Sequence, residues 1–193
     1  MKKGLLIGII GMFLILYSLI SSMVYSKVFW YGTFVLGGTL FLGYINCNLK
    51  IKSLFYFNKK TILKQYLIYF ICGLIIEMIG RFTLHLWIDN PSFTFIVEIV
   101  EVFLLAYPFA FFFIYESFML IKKIVKSFGL AVFLTTLISA FLHEYPNTFV
   151  WEWTYRIPYI SFEILQINIV VIFGWMILVA IPLIVNNKII KNI

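Results

Sequence analysis

The sequence predicts an all-α, polytopic membrane helix bundle with six transmembrane helices and both termini cytoplasmic. Three observations carry that expectation. Of 193 residues, 63% are hydrophobic and only 12% charged, which is about half the charged share usual in soluble domains. The apolar residues gather in six runs, each close to the roughly 20 residues a helix needs to cross a bilayer. Bases and acids occupy different parts of the chain. No stretch rich in Pro, Gly or Ser divides the sequence, so residues 1–193 are expected to form one integral-membrane domain.

The first run, 4–24, follows Lys2 and Lys3. A basic start before an apolar stretch is also the pattern of a cleaved signal peptide. The length of the run and the lack of an A-x-A site favour a retained helix. The second run is 28–47. The connection after it, LKIKSLFYFNKKT (49–61), is basic and aromatic, as suits an interfacial loop on an anionic leaflet. The third run is 62–86 and the fourth 93–118. The fifth, 127–142, is the shortest, and the sixth is 159–185. Pro108 and Pro182 lie within the fourth and sixth, where they can kink a helix.

The charges orient these runs. Net charge is +7, and twelve of the fifteen bases (Lys2, Lys3, Lys50, Lys52, Lys59, Lys60, Lys64, Lys122, Lys123, Lys126, Lys188 and Lys191) fall on one side of the predicted bundle. The positive-inside rule makes that side cytoplasmic, in a cell (inner) membrane. It also accounts for the basic balance without nucleic acid, which is excluded as a partner; the lipid bilayer is the primary one. Cys47 and Cys72 show no CxxC spacing and read as reduced, structural thiols.

All eight acids fall between Glu77 and Glu163. Only Glu116 belongs to the lysine-rich side, near Lys122 and Lys123. Glu77, Arg81 and His85, spaced i, i+4, i+8, form one stripe on the third helix. Glu77 precedes Asp89 by about 18 Å at roughly 1.5 Å per residue, close to the midplane, and Glu98 and Glu101 lie about 8–12 Å past Phe93. Glu163 is expected at the depth of Glu98. A charge at the bilayer centre costs about 2.5–3.5 kcal/mol on insertion scales. A single Glu77–Arg81 pair is explained by helix register alone. The whole set points to a polar cavity inside the bundle.

The segment HEYPNTFVWEWTYR (143–156) is expected as the loop between the fifth and sixth helices. Tyr145-Pro146-Asn147 reads as a turn. Trp151 and Trp153 alternate with Glu152 in strand-like spacing. An aromatic belt explains the rings, but it does not explain His143, Glu144 and Glu152. A loop folded over the cavity does, since acids beside tryptophan faces suit a cationic or amphiphilic ligand.

Motifs for chemistry are sparse. No HExxH, Glu-x-x-His, G-x-S-x-G, Walker A or GxGxxG occurs, so no metal site is assigned and no cofactor is named. The Glu-Glu pair and Phe-x3-His of CAAX-type intramembrane proteases are absent. So is the Pro-x-Glu-Glu signature of lycopene-cyclase-like domains, and no family is assigned. The leading expectation is binding or transport of a small cationic or amphiphilic molecule at Glu77, Arg81, His85, Glu98, Glu101, His143, Glu144, Trp151, Glu152, Trp153 and Glu163. Two other readings remain open. One is a membrane-embedded enzyme, with or without a metal ion, acting on a lipophilic or lipid-linked substrate at the outer leaflet. The other is an accessory subunit whose acids contact partner membrane proteins.

Overall fold

In the computed structural model, residues 2–27, 29–92, 94–157 and 160–190 are described, without the side chains of Lys2, Lys3, Ile189 and Ile190. The expected helix starts at Val28, Phe93 and Tyr159, and Lys191, lie outside them. Six helical columns make up the chain. They are α1 (Lys2–Met23), α2 (Tyr31–Asn48), α3 (Lys59–Thr83), α4 (Phe95–Val125), α5 (Phe128–Asn147) and α6 (Ile169–Ile190). All but α2 are long and apolar enough to cross a membrane. Four glycines, Thr33, Thr39, Asn46 and Asn48 dilute α2, which is packed between α1 and α4. Its approach to α1 depends on one of those glycines, Gly37, and on Gly11 of α1: a Cβ on Gly37 would lie 2.8 Å from the Gly11 carbonyl oxygen.

Local chemistry explains where the columns begin. The Asn58 side chain accepts from Thr61 N at 2.8 Å and opens α3. Thr94 and Ser127 cap α4 and α5 in the same way. Between them, Lys126 at φ 60° ends α4.

Several boundaries differ from expectation. α3 stops at Thr83, because its last seven residues, Glu77–Thr83, wind as a π-helix that ends in a Leu84 N to Ile79 O bond. α5 runs on to Asn147, so His143, Glu144 and the Tyr145-Pro146-Asn147 segment are helical rather than loop. α6 begins ten residues later than the expected 159, at Ile169. Ahead of it, β3 (Glu163–Ile164) and β4 (Ile167–Asn168) pair across Leu165 and Gln166, at φ 51° and 63°. Two successive positive φ values are what a tight hairpin needs, so Glu163 sits exposed on a strand and not inside a helix.

A second pair of strands ties two connections together. β1 (Trp87–Asp89) runs antiparallel to β2 (Trp153–Tyr155), with Ile88 opposite Thr154. Hydrogen bonds from Asn90 N to Glu152 O and from Arg156 N to Leu86 O flank it. This sheet defines one end of the bundle, which we call the sheet end. The described lysines other than Lys27 lie toward the opposite end.

The core is aromatic. Tyr69, Phe111, Phe112, Ile114, Trp175 and Val179 fill the space between α3, α4 and α6. Trp30, Phe34, Val35, Ala110, Phe113 and Val150 form a second cluster around α2. Polar links cross it. Asn186 Nδ2 donates to the Tyr69 hydroxyl and the Pro182 carbonyl, each at 2.7 Å, while Gln65 donates to Asn186 Oδ1.

Candidate functional site

The π-helical turn of α3 re-aims its charged residues, since each π turn holds an extra residue. Glu77 is buried, and its Oε1 accepts from the Tyr107 hydroxyl at 2.7 Å. Its Oε2 lies 3.8 Å from Arg81 Nη1. Arg81 donates to Asp89 and, at 2.6 Å, to Glu98 Oε1. One guanidinium therefore clamps α3, β1 and α4 together. His85 has no part in this: it follows the helix at φ 53° and is exposed, so the expected stripe breaks after Arg81.

α4 repeats the device. Its residues Ile99–Ala106 are π-helical and carry Glu101, which is buried. Glu101 Oε1 accepts from Gly32 N at 2.6 Å. A Cβ on Gly32 would lie 2.8 and 2.9 Å from the two carboxyl oxygens, so the carboxylate needs glycine there.

At the end of α5, Glu144 is held by three donors. Trp153 Nε1 (3.0 Å) donates to one oxygen, and the Tyr155 hydroxyl (2.7 Å) and Trp175 Nε1 (2.9 Å) donate to the other. The neighbouring His143 is buried among aromatic rings, with Nδ1 2.6 Å from the Tyr31 hydroxyl and the Trp175 ring 4.5 Å away. Glu152 is also buried. Its Oε2 accepts from Phe29 N (2.9 Å) and Trp30 N (3.3 Å), which fixes the α1–α2 connection to the sheet end.

These groups surround one cavity of about 670 Å³. Glu77, Asp89, Glu101, Glu144 and Glu152 line it together with the rings of Tyr31, Trp87, Tyr107, Trp153, Tyr155 and Trp175. The rest of the wall is apolar, mostly aliphatic with Phe111 and Cys72. Ile75, Ile79 and Ile177 line the cavity and are also more than half exposed, so it reaches the apolar surface between α3 and α6. A second cavity, about 620 Å³, lies behind the sheet end, where Glu144, Trp153, Tyr155 and Ile157 border both spaces. Trp151 and Glu163 line only this second one.

Of the sequence-derived site residues, Glu77, Glu101, Glu144, Glu152 and Trp153 therefore meet at the first cavity. Arg81 and Glu98 form its clamp, His143 supports Tyr31, and His85 stands apart. Tyr31, Tyr107, Tyr155 and Asp89 escaped the sequence reading. Trp175 carried a signal, as the one tryptophan placed deep in a helix rather than at an interface.

Burial pushes the Glu152 carboxyl up to about 8, with Glu101 adding to the rise and the Trp30 and Phe29 amides opposing it. Burial likewise raises Asp89 to about 6 despite Arg81, and Glu98 adds to it. The Tyr155 hydroxyl is raised well above its usual value by burial and then by Glu144.

Among the described residues, no group of three or more His, Cys, Asp or Glu side chains is arranged to hold a metal ion. Cys47 and Cys72 are free thiols. Compared with known proteins, the chain matches no family model, no curated protein and no solved structure.

Proposed function

We propose that this membrane protein binds an amphiphilic cation, with the apolar part of the ligand along α3 and α6 and its positive charge among the carboxylates and rings near β1 and β2. One observation carries the reading. Five carboxyl groups line the first cavity, and the guanidinium beside it, Arg81, is shared by Glu77, Asp89 and Glu98. Among the described residues, no ion pair reaches Glu101, Glu144 or Glu152. Buried acids without a base favour an incoming cation, and the faces of Trp87, Trp153 and Tyr107 add cation–π attraction. The volume suits a small ligand. The opening between α3 and α6 supports arrival from the lipid. We further propose that the sheet end faces outward and the lysine end faces the cytoplasm.

The test is a titration in nanodiscs of neutral lipid, following tryptophan fluorescence. Tetradecyltrimethylammonium is expected to bind at least tenfold more tightly than tetradecyl sulfate or tetradecanol, and Glu101→Gln with Glu152→Gln to remove that preference. Equal response to all three amphiphiles would overturn the reading. Flux of labelled alkylammonium in proteoliposomes then separates transport from simple binding.

A further inference from the structure

The second cavity has a different chemistry from the first, although they share a wall. Among the described residues, its lining contains no Lys, Arg or His. Asn147 and Asn168 belong to it but are consumed by the fold. Asn147 donates to Trp153 O and accepts from Glu152 N; Asn168 donates to Ile160 O and accepts from Val170 N. Glu144 likewise accepts from three donors of the fold.

What remains is a set of groups outside every hydrogen bond just described: the Trp151 ring, the Thr154 and Ser161 hydroxyls, the Glu163 carboxylate and the Gln166 amide. Trp151 is 51% exposed at φ 53°, and Glu163 and Gln166 are exposed on and beside the β3–β4 hairpin. The uncommitted groups, an indole, two hydroxyls, an amide and a carboxylate, line one concave space of about 620 Å³. An aromatic face stacks against the C–H side of a sugar ring, and amides and carboxylates pair with vicinal hydroxyls. Phosphate or sulfate would meet an acid and no base.

We infer that this second cavity is a binding site for a hydroxyl-rich, sugar-like group without negative charge. The site stands beside the cation site and does not depend on it, because Trp151, Thr154, Ser161, Glu163 and Gln166 do not line the first cavity.

Saturation-transfer NMR with the full-length protein in phosphatidylcholine nanodiscs tests this, using octyl β-glucoside below its micellar concentration and methyl β-glucoside as probes. Saturation is expected on the sugar-ring protons of both. It should fall at least fivefold in Trp151→Asn, a residue that tolerates the left-handed φ, and in Glu163→Gln. Both positions are exposed, so an unchanged melting temperature is the check on folding. Saturation confined to the octyl chain, or sugar saturation unchanged in both variants, overturns the inference. Neither result bears on tetradecyltrimethylammonium binding, which reads the first cavity alone.

Discussion

Glu152 is the side chain whose ionisation most directly links the fold to the proposed ligand. A carboxyl pushed up to about 8 when folded binds a proton that the unfolded chain, near its ordinary 4.5, has released. The native state thus holds more protons between those values, and stability falls as pH rises through that window. The melting temperature of the ligand-free protein should drop from pH 6 to pH 9, and Glu152→Gln should remove part of the drop. Cation binding runs the other way, because it needs the ionised form: affinity for tetradecyltrimethylammonium should rise about tenfold or more over the same range and flatten in Glu152→Gln. A pH-independent affinity in the parent protein would break this link. Gly32→Ala makes a sharper steric demand. Its Cβ would meet both Glu101 oxygens and the Leu105 Cβ, so ligand affinity should fall at least tenfold and the crowding should also lower the melting temperature. The sequence singled out Glu77 and Glu101 because an acid inside an apolar helix is costly and conspicuous, and Glu144 and Glu152 because they stand beside tryptophans in an expected loop. It could not reveal Tyr31, Tyr107 and Tyr155, because tyrosine is equally at home in a belt, and only the fold turns their hydroxyls onto His143, Glu77 and Glu144.

At the level of elements, apolar run length was enough to locate all six columns, and their ends were misplaced where local geometry overrode hydropathy. The apolar Phe162, Ile164 and Ile167 predict a longer α6, yet the positive φ at Leu165 and Gln166 makes a hairpin of that segment. α5 was drawn too short because His143, Glu144 and Pro146 look like loop residues. Glu144 is tolerated in the helix because its oxygens take three donors. The π-helical segments of α3 and α4 have no hydropathy signature at all. They nonetheless carry Glu77, Arg81 and Glu101, and π turns are frequent at functional sites. Deleting Val102 should restore an α-helical register in α4 and rotate Glu101 away from Gly32 N by about 100°, one residue of helix. Circular dichroism should be almost unchanged while alkylammonium binding is lost. Binding that survives the deletion would remove the π turn from the site.

Seen whole, the molecule keeps its two ends distinct: one is laced by acids, tryptophans and short strands, the other by lysines and a single buried carboxylate. Glu116 was expected beside Lys122 and Lys123, but it is fully buried. Its Oε1 accepts from Leu54 N (2.7 Å) and Ser53 Oγ (2.9 Å), and its Oε2 from Asn46 Nδ2 (2.5 Å). It fastens the basic connection after α2 to the middle of the bundle, so the lysines around it are presented at a fixed level. Replacing Glu116 by Ala strands three buried donors, a loss of roughly 3 kcal/mol or more. In a chain of this length that lowers the melting temperature by about 6–12 °C, and Glu116→Gln should recover part of it. We propose that the same asymmetry sets the orientation, since the described lysines other than Lys27 gather toward one end and resist translocation. In a background with Cys47 and Cys72 replaced by Ser, a cysteine at Ser92, exposed between β1 and α4, should react with an impermeant maleimide in intact cells. One at Lys52 should react only after permeabilisation. The reverse pattern would turn the acid-lined cavity toward the cytoplasm, and the proposed cation would then have to reach it from the inner leaflet.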